Sequence, residues 1–267
     1  MPRIAWATDV HLNFVSRARF QTFLDEAAAC QGGAMVLTGD IAEAPSFRQF
    51  LLAIAEKLEK PVYFVLGNHD SYYGGIERAR DTARLACRQS PWLHWLSEEA
   101  APVELSPETA LTGHCGWADA RLGDFRNSKV WLADFELIRD FEGLRRDAIR
   151  AKLERLGDEA ATHLARLLDL ALPRYRNLLV ATHIPPWREA AWHRGQPSDD
   201  HWLPFFSCGA AGDAIRAAFE RHPDRRGTVL CGHTHGDGVS DILPNLRAIT
   251  GGAEYGDPRM QTVLDVP

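Results

Sequence analysis

The stretch that decides the fold runs from Val62 to Asp70 and reads Val-Tyr-Phe-Val-Leu-Gly-Asn-His-Asp. A short continuous apolar run that ends in glycine and polar residues is typical of a strand buried on both faces of its sheet. The polar residues then lie at the carboxyl end of the strand, which is where open α/β sheets bind ligands. The stretch therefore predicts an α/β fold with a functional site at one sheet edge.

The same pattern of a buried strand followed by polar residues occurs at four further places. The predicted strands are Ile4 to Ala7, Ala34 to Leu37, Leu178 to Ala181 and Thr228 to Cys231. The clusters after them are Asp9-Val10-His11, Gly39-Asp40, Thr182-His183 and Gly232-His233-Thr234-His235. Because such strand ends share one edge, we expect clusters far apart in sequence to converge in one crevice.

The residue types in these clusters predict a site for two divalent metal ions. Oxygen donors from Asp and Asn, mixed with neutral imidazoles, suit Mn, Fe, Zn, Co or Ni, and no cluster offers a thiolate. The ligands are too many for one tetrahedral ion, but they suffice for two ions that share a carboxylate, and Asp40 is the natural bridge. The seven candidate ligands are Asp9, His11, Asp40, Asn68, His183, His233 and His235.

The ordered clusters resemble those of the calcineurin-like metallophosphoesterase superfamily, whose blocks run Asp-x-His, Gly-Asp, Gly-Asn-His-Asp/Glu, His and Gly-His-x-His. All five blocks are present in that order. The resemblance implies a four-layer α/β/β/α sandwich of two mixed sheets flanked by helices, with an inserted helical cap region. It also implies one metal held by Asp9, His11, Asp40 and His235, and a second held by Asp40, Asn68, His183 and His233.

The resemblance further implies a mechanism in which a metal-bridging hydroxide attacks phosphorus in line. His69 remains free to donate a proton to the leaving group, and Asp70 would orient its imidazole. Gly39-Asp40 is not followed by the arginine-containing extension of protein serine/threonine phosphatases. The motifs are most similar to those of bacterial cyclic-nucleotide phosphodiesterase-like members, so we expect a phosphoesterase that favours a small organic phosphodiester over a phosphomonoester.

Length and composition favour one catalytic domain spanning residues 1–267. The chain is long enough for a sizeable core yet short for two independent domains. An insertion at about residues 116–172, the longest interval without a metal block, is expected to shape the substrate pocket. No apolar stretch approaches the roughly 20 residues that span a bilayer, and five scattered cysteines suit a reducing cytoplasm.

Four residues in the insertion and in the loop after His183 are candidate substrate contacts: Arg126, Asn127, Trp187 and His193. These segments mix aromatic faces with donors for phosphate, which suits the stacking of a ring beside a bound phosphate. A packed loop or a dimer interface is the alternative interpretation of the same residues.

Two other functions stay open at this stage. One is a nuclease of the DNA-repair type, although a net charge of −6 without a long run of Lys or Arg argues against a nucleic-acid partner. The other is a non-catalytic scaffold on the same fold, which the complete set of ligands and His69 disfavour. The sequence also leaves a homo-oligomer open.

Overall fold

The computed structural model describes residues 3–267, and its strands form two large sheets and one small hairpin. The strands are β1 (Arg3–Ala7), β2 (Ala34–Thr38), β3 (Val62–Val65), β4 (Leu93–Trp95), β5 (Val103–Glu104), β6 (Thr109–His114), β7 (Asn177–Thr182), β8 (Trp192–His193), β9 (Gln196–Pro197), β10 (Arg226–Cys231), β11 (Gly238–Leu243), β12 (Leu246–Thr250) and β13 (Thr262–Asp265).

Three long helices precede the strands β2, β3 and β4, and two more flank the later strands. The helices are α1 (Arg17–Ala29), α2 (Phe47–Leu58), α3 (Ile76–Gln89), α4 (Asp134–Leu137), α5 (Arg146–Ala171), α6 (Leu203–Phe206) and α7 (Gly209–Arg221). Local signals set their ends: the Ser16 hydroxyl accepts a hydrogen bond from the Arg19 N–H at the start of α1. The left-handed Glu59, with φ of 47°, ends α2 before Pro61.

Both large sheets are mixed. The first has the order β13-β1-β2-β3-β4, in which only the edge strand β13 is antiparallel. The second has the order β11-β12-β10-β7-β6-β5, with a parallel centre and an antiparallel strand at each edge. The parallel strands of each sheet end at a common edge, as the sequence pattern requires.

The layers follow from which apolar faces each element buries. One core cluster joins Phe23 of α1, Leu51 of α2 and Ala83 of α3 to the first sheet, and it continues to Leu230 of the second sheet. A second cluster joins the outer face of the second sheet to α5 and α7. The result is the four-layer α/β/β/α arrangement that the resemblance implied.

The expected insertion at 116–172 divides into two parts of different character. Residues 116–145 form loops and single helical turns, whereas α5 packs along α7 and β6 as part of the outer helical layer. A third apolar cluster, which includes Trp117, Phe135 and Phe205, holds the loop-rich part against the α6 segment. The cap is therefore mostly loop, and the long helix belongs to the sandwich itself.

No helix within residues 3–267 combines the length and the apolar character that a membrane crossing requires.

Candidate metal centre

The seven candidate ligands meet where the carboxyl ends of the two sheets face each other. Each one follows a parallel strand within a few residues: Asp9 and His11 follow β1, Asp40 follows β2, Asn68 follows β3, His183 follows β7, and His233 and His235 follow β10. The first sheet therefore supplies four ligands and the second sheet supplies three.

Local backbone conformation directs many of these side chains into the crevice. Left-handed φ angles occur at Asp9 (48°), His11 (40°), Asp40 (49°), His233 (69°) and His235 (58°). Such angles are uncommon outside glycine, although Asn, Asp and His adopt them most readily. Each costs about 1–3 kcal/mol and persists only where the surrounding structure enforces it. Backbone strain is thus concentrated at the site.

Two glycines permit the close approach of the strand ends. Gly39 has a φ of 91°, and a Cβ atom there would lie 2.6 Å from Nδ1 of His183. A Cβ atom at Gly67 would collide with the Asp40 carboxylate. Glycine is the residue that fits both positions, because a side chain would push two candidate ligands apart.

We call the first group of ligands the Asp9 half: Asp9, His11 and His235, together with Asp40. One ligand atom from each of the four lies within 4.8 Å of all the others. The Nε2 atoms of His11 and His235 face each other at 3.1 Å, and His235 Nε2 lies 3.6 Å from Asp9 Oδ1. Side chains that direct lone pairs at one point in this way form a ready cation site.

We call the second group the Asn68 half: Asn68, His183 and His233, again with Asp40. The Oδ1 atom of Asn68 lies 3.0 Å from Nε2 of His183 and 3.0 Å from Nδ1 of His233. His183 Nε2 is also 3.4 Å from Asp40 Oδ1. These four side chains surround a second point with two nitrogens and two oxygens.

The Asp40 carboxylate connects the two halves. Its Oδ2 atom lies 3.6 Å from His11 Nε2 in the Asp9 half, and its Oδ1 atom lies 3.4 Å from His183 Nε2 in the Asn68 half. The backbone N–H of His69 donates to Oδ1 at 2.9 Å and fixes the carboxylate orientation. Each oxygen thus faces a different half, which is the geometry of a bridging ligand.

The charges of the site favour a bound cation. Asp9 and Asp40 are buried, and within residues 3–267 their side chains form no salt bridge with Lys or Arg. Burial raises the pKa of Asp9 to about 7, and burial together with nearby Asp9 and Asp70 raises the pKa of Asp40 well above its ordinary value. Two buried carboxylates without a cationic partner are unfavourable unless they bind metal or protons.

The imidazoles of the site are held neutral, the form that binds metal. Burial, followed by the neighbouring histidines, lowers the pKa of His11 and His183 far below the usual range. Burial likewise lowers the pKa of His233 and of His235 to about 4. The donor types of the seven candidate ligands therefore fit two divalent ions, and the four imidazoles are already in the neutral form that binds metal. The seven residues are Asp9, His11, Asp40, Asn68, His183, His233 and His235.

Outer hydrogen bonds hold the Asn68 half in place. His183 Nδ1 contacts the carbonyl oxygen of Thr38 at 2.9 Å, and His233 Nε2 contacts that of Phe205 at 3.0 Å. The Asn68 amide donates to the buried carboxylate of Asp134 at 2.9 Å, so its Oδ1 points toward the two imidazoles. Partners of this kind fix the tautomer and the orientation of metal ligands.

His69 lies between two tyrosines beside the Asp40 carboxylate. Its ring stacks on Tyr72 with a centroid distance of 4.1 Å, and its Nε2 lies 3.5 Å from the Tyr255 hydroxyl and 3.9 Å from Asp40 Oδ2. Burial lowers its pKa to about 3. Its Nδ1 has no hydrogen-bond partner within residues 3–267, so stacking rather than a carboxylate orients the ring.

Asp70 does not make the contact with His69 that the resemblance implied. Its Oδ1 accepts hydrogen bonds from the backbone N–H groups of Ile41 and Ala42, and its Oδ2 accepts one from Gly67. The described hydrogen bonds of its side chain include none to His69. Asp70 thus ties the loop after β2 to the loop after β3, and it supports the site through the backbone.

The four candidate substrate contacts lie in different environments. His193 is at the edge of the site, where its Nδ1 contacts the Thr234 carbonyl oxygen at 3.0 Å. Asn127 donates to Asp124 and lines a surface cavity, and Arg126 is exposed beside it. Trp187 is only 4% exposed and donates from its indole to the Gly212 carbonyl, so it packs in the core and is not available to a substrate.

Three residues of the site were not foreseen from the sequence: Tyr72, Asp134 and Tyr255. Tyr72 donates to Asp134 at 2.6 Å, and the ring of Tyr255 lies 4.5 Å from that of His11. Tyr72 could have been predicted from the sequence, because it follows His69 by one turn and completes the Gly-Asn-His-Asp loop. No pattern in the sequence connects Asp134 or Tyr255 with the metal ligands.

Comparison with known families agrees with this geometry. Residues 2–237 match the calcineurin-like phosphoesterase family, and the chain belongs to that family. It is accordingly a metallophosphoesterase with a buried cluster of His and Asp metal ligands. No curated protein sequence matches the chain significantly.

Solved structures share the fold at low sequence identity. A phosphopantetheinyl hydrolase from Mycobacterium tuberculosis superposes with a TM-score of 0.65 at 15% identity, covering 97% of this chain and 95% of its own. A dimetal phosphatase from Danio rerio gives a TM-score of 0.58 at 11% identity, covering 94% and 87%. A protein from Thermus thermophilus gives 0.53 at 15% identity, covering 94% and 89%.

Proposed function

We propose that this protein is a dinuclear metal-dependent hydrolase of small organic phosphoesters with a preference for diesters. The observation that carries the proposal is the position of Asp40, whose two oxygens face two separate sets of nitrogen and oxygen ligands. The two oxygens of one carboxylate can bind two ions about 3.5–4 Å apart, the separation usual in hydrolytic dimetal sites.

The Asp9 half and the Asn68 half would each hold one divalent ion, and Mn, Fe, Zn, Ni or Co suits this mixture of imidazole and oxygen donors. When bound, the ions supply Lewis acidity toward the phosphate oxygens and an activated water as nucleophile. The protein's own contribution is to keep the imidazoles neutral and Asp40 fixed, so that little reorganisation accompanies the reaction.

His69 would transfer a proton to the leaving oxygen from Nε2, the ring atom nearest the shared carboxylate. Its pKa of about 3 is that of the protein without metal ions or substrate. A phosphate anion beside the ring favours the imidazolium form and raises that pKa toward the operating pH. Tyr72 keeps the ring in place by stacking.

Charge supports a diester substrate. Within residues 3–267 neither Asp9 nor Asp40 forms an ion pair with Lys or Arg, so the metals would supply most of the positive charge at the site. A phosphomonoester carries about 1.5–2 negative charges at neutral pH, whereas a diester carries a single one. The excess charge of two divalent ions over two aspartates and one bound hydroxide matches the diester.

The test compares bis-p-nitrophenyl phosphate with p-nitrophenyl phosphate, using chelated protein resupplied separately with Mn, Fe, Zn, Ni, Co or Mg. We expect no turnover after chelation, recovery with a transition metal, and a higher kcat/KM for the diester. Faster hydrolysis of the monoester would reject the diester preference. No hydrolysis of either ester with any of the metals would reject the hydrolytic function.

A further inference from the structure

A cavity of about 500 Å³ opens between the loop-rich insertion and the segment that precedes α6. Its lining comes from two short stretches of chain and includes two tryptophans with large exposed areas, Trp131 at 49% and Trp202 at 37%. The lining residues are Asn127, Lys129, Val130, Trp131, His201 and Trp202. We call this cavity the tryptophan cleft.

Hydrogen bonds between the two stretches hold the walls of the tryptophan cleft in place. The Ser128 hydroxyl donates to the His201 carbonyl oxygen at 2.7 Å, and the Asp124 N–H donates to the Asp200 carbonyl oxygen at 2.7 Å. The Asp199 carboxylate accepts from the N–H groups of His201 and Trp202. The cleft is therefore formed before any ligand arrives, as small-molecule sites usually are.

A continuous series of ring contacts connects the cleft with the Asn68 half. Trp202 packs on Phe206 with a centroid distance of 5.0 Å, and Phe206 meets the His233 ring edge-on at 5.3 Å. Trp202 also stacks on His193 at 6.1 Å. Trp202 therefore lies two ring contacts away from the candidate ligand His233, and it also contacts His193 at the edge of the site.

The chemistry of the cleft selects for a planar ring on an anionic ligand. Indole rings bind flat aromatic groups by stacking, and such contacts tolerate many ring types. Lys129 forms no salt bridge within residues 3–267, so its charge is free to attract a phosphoester. The Asn127 side chain is held by Asp124 at 2.8 Å and adds a fixed polar edge.

We propose that the tryptophan cleft is the subsite for a planar aromatic group, such as a nucleobase, on the substrate of the metal centre. This inference rests on the proposed hydrolytic function and specifies its substrate class. The phosphate lies between the two halves of the metal centre, and the ring stacks on Trp131 and Trp202. The cleft therefore determines specificity rather than chemistry.

The test uses two diesters with the same leaving group: thymidine 5′-monophosphate p-nitrophenyl ester and methyl p-nitrophenyl phosphate. For the manganese-loaded enzyme, we expect Trp131→Ala to lower the ratio of kcat/KM for the thymidine ester over the methyl ester about tenfold. Trp131→Phe retains a ring and should keep most of the ratio. Trp131→Leu retains apolar area without a π face and should lose it.

Trp202→Ala is the second variant, because it changes the opposite wall without disturbing the contact of Trp131 with Phe135. Trp92→Ala is the control, since this exposed tryptophan precedes β4 at the opposite end of the first sheet. A wild-type ratio in both Trp131→Ala and Trp202→Ala proteins, with unchanged melting temperatures, would overturn the assignment of the subsite.

Calorimetric binding of thymidine 5′-monophosphate separates failure of the subsite from failure of the hydrolytic proposal. If the wild type hydrolyses neither ester yet binds the nucleotide about tenfold more tightly than Trp131→Ala does, the result supports the subsite and rejects the hydrolytic function. If the wild type hydrolyses both esters but the nucleotide binds equally to the wild type and to Trp131→Ala, the result supports the hydrolytic function and rejects the subsite.

Discussion

The two halves of the metal centre share Asp40 but differ in how their histidines are held. In the Asn68 half, His183 and His233 each use the second ring nitrogen to contact a backbone carbonyl oxygen. In the Asp9 half, Nδ1 of His11 is buried without a partner within residues 3–267, and the described hydrogen bond of the His235 ring involves Nε2 alone. Outer partners preorganise metal ligands, so we expect the Asn68 half to bind its ion more tightly.

Asp40→Asn should weaken metal binding in both halves and so remove the difference in their affinities. An amide cannot supply two anionic oxygens, and loss of Lewis-acid activation is worth several kcal/mol, or about a thousandfold or more in kcat/KM. Metal content after gel filtration should fall below two ions per chain. Asp213→Asn, an exposed change on α7, is the control, and an Asp40→Asn protein that keeps two ions and full activity would contradict the bridging role.

His69→Ala should separate catalysis from metal binding in both halves. Loss of the general acid is expected to lower kcat by about a hundredfold or more, while two ions remain bound. The decrease in kcat should be smaller for esters with better leaving groups, because the leaving oxygen of such an ester needs less protonation. His222→Ala serves as the control at the end of α7. A His69→Ala enzyme that holds two ions and works at the wild-type rate would refute the role of His69.

Asp134→Asn should weaken the Asn68 half selectively. The substitution replaces an acceptor of two hydrogen bonds, from Asn68 and Tyr72, by a group that also donates. We expect about 10- to 100-fold weaker binding of one ion in a calorimetric titration, with the other ion unaffected. Tyr72→Phe should have a smaller effect, because it leaves the bond to Asn68. Equal weakening of both ions would show that the halves are not independent.

Proton release should distinguish the halves by pH, because Asp40, whose pKa is also raised, belongs to both halves whereas Asp9 belongs to one. In the metal-free protein the pKa of Asp9 is about 7, so below pH 7 an ion entering the Asp9 half must displace a proton. Affinity there should decrease as the pH falls from 7 to 6, by at most about tenfold per pH unit for one proton. His233, with a pKa of about 4, is already neutral in this range. Titrations in buffers of different ionisation enthalpy measure the released protons.

The sequence was sufficient for the elements that carry strong local signals. The buried strands are continuous apolar runs, and the candidate ligands follow them directly, so an α/β fold and the convergence of the clusters could be predicted. The four-layer α/β/β/α arrangement was implied by the family resemblance. The outer partners of the Asn68 half could not. Asp134 lies 66 residues from Asn68, and the partner of His233 is a backbone carbonyl at Phe205, which no side-chain pattern reveals.

Trp187 and Asp70 illustrate the same limit. Trp187 was expected at the rim because it follows His183 closely, but an indole of this size is more favourably buried, and its N–H found a carbonyl acceptor in the core. Asp70 was expected to face His69, its neighbour in the motif. Instead, the Asp70 carboxylate accepts hydrogen bonds from three backbone N–H groups, those of Ile41, Ala42 and Gly67.

The left-handed backbone at Asp9, His11, Asp40, His233 and His235 also limits how this site can change over evolutionary time. Glycine, asparagine, aspartate and histidine adopt such angles most readily, whereas other residues do so at a greater energetic cost. Substitutions at these five positions are therefore biased toward a small set of residue types that contains no thiol or thioether. At these positions the main chain itself thus favours nitrogen and oxygen coordination, whichever substrates the loops come to accept.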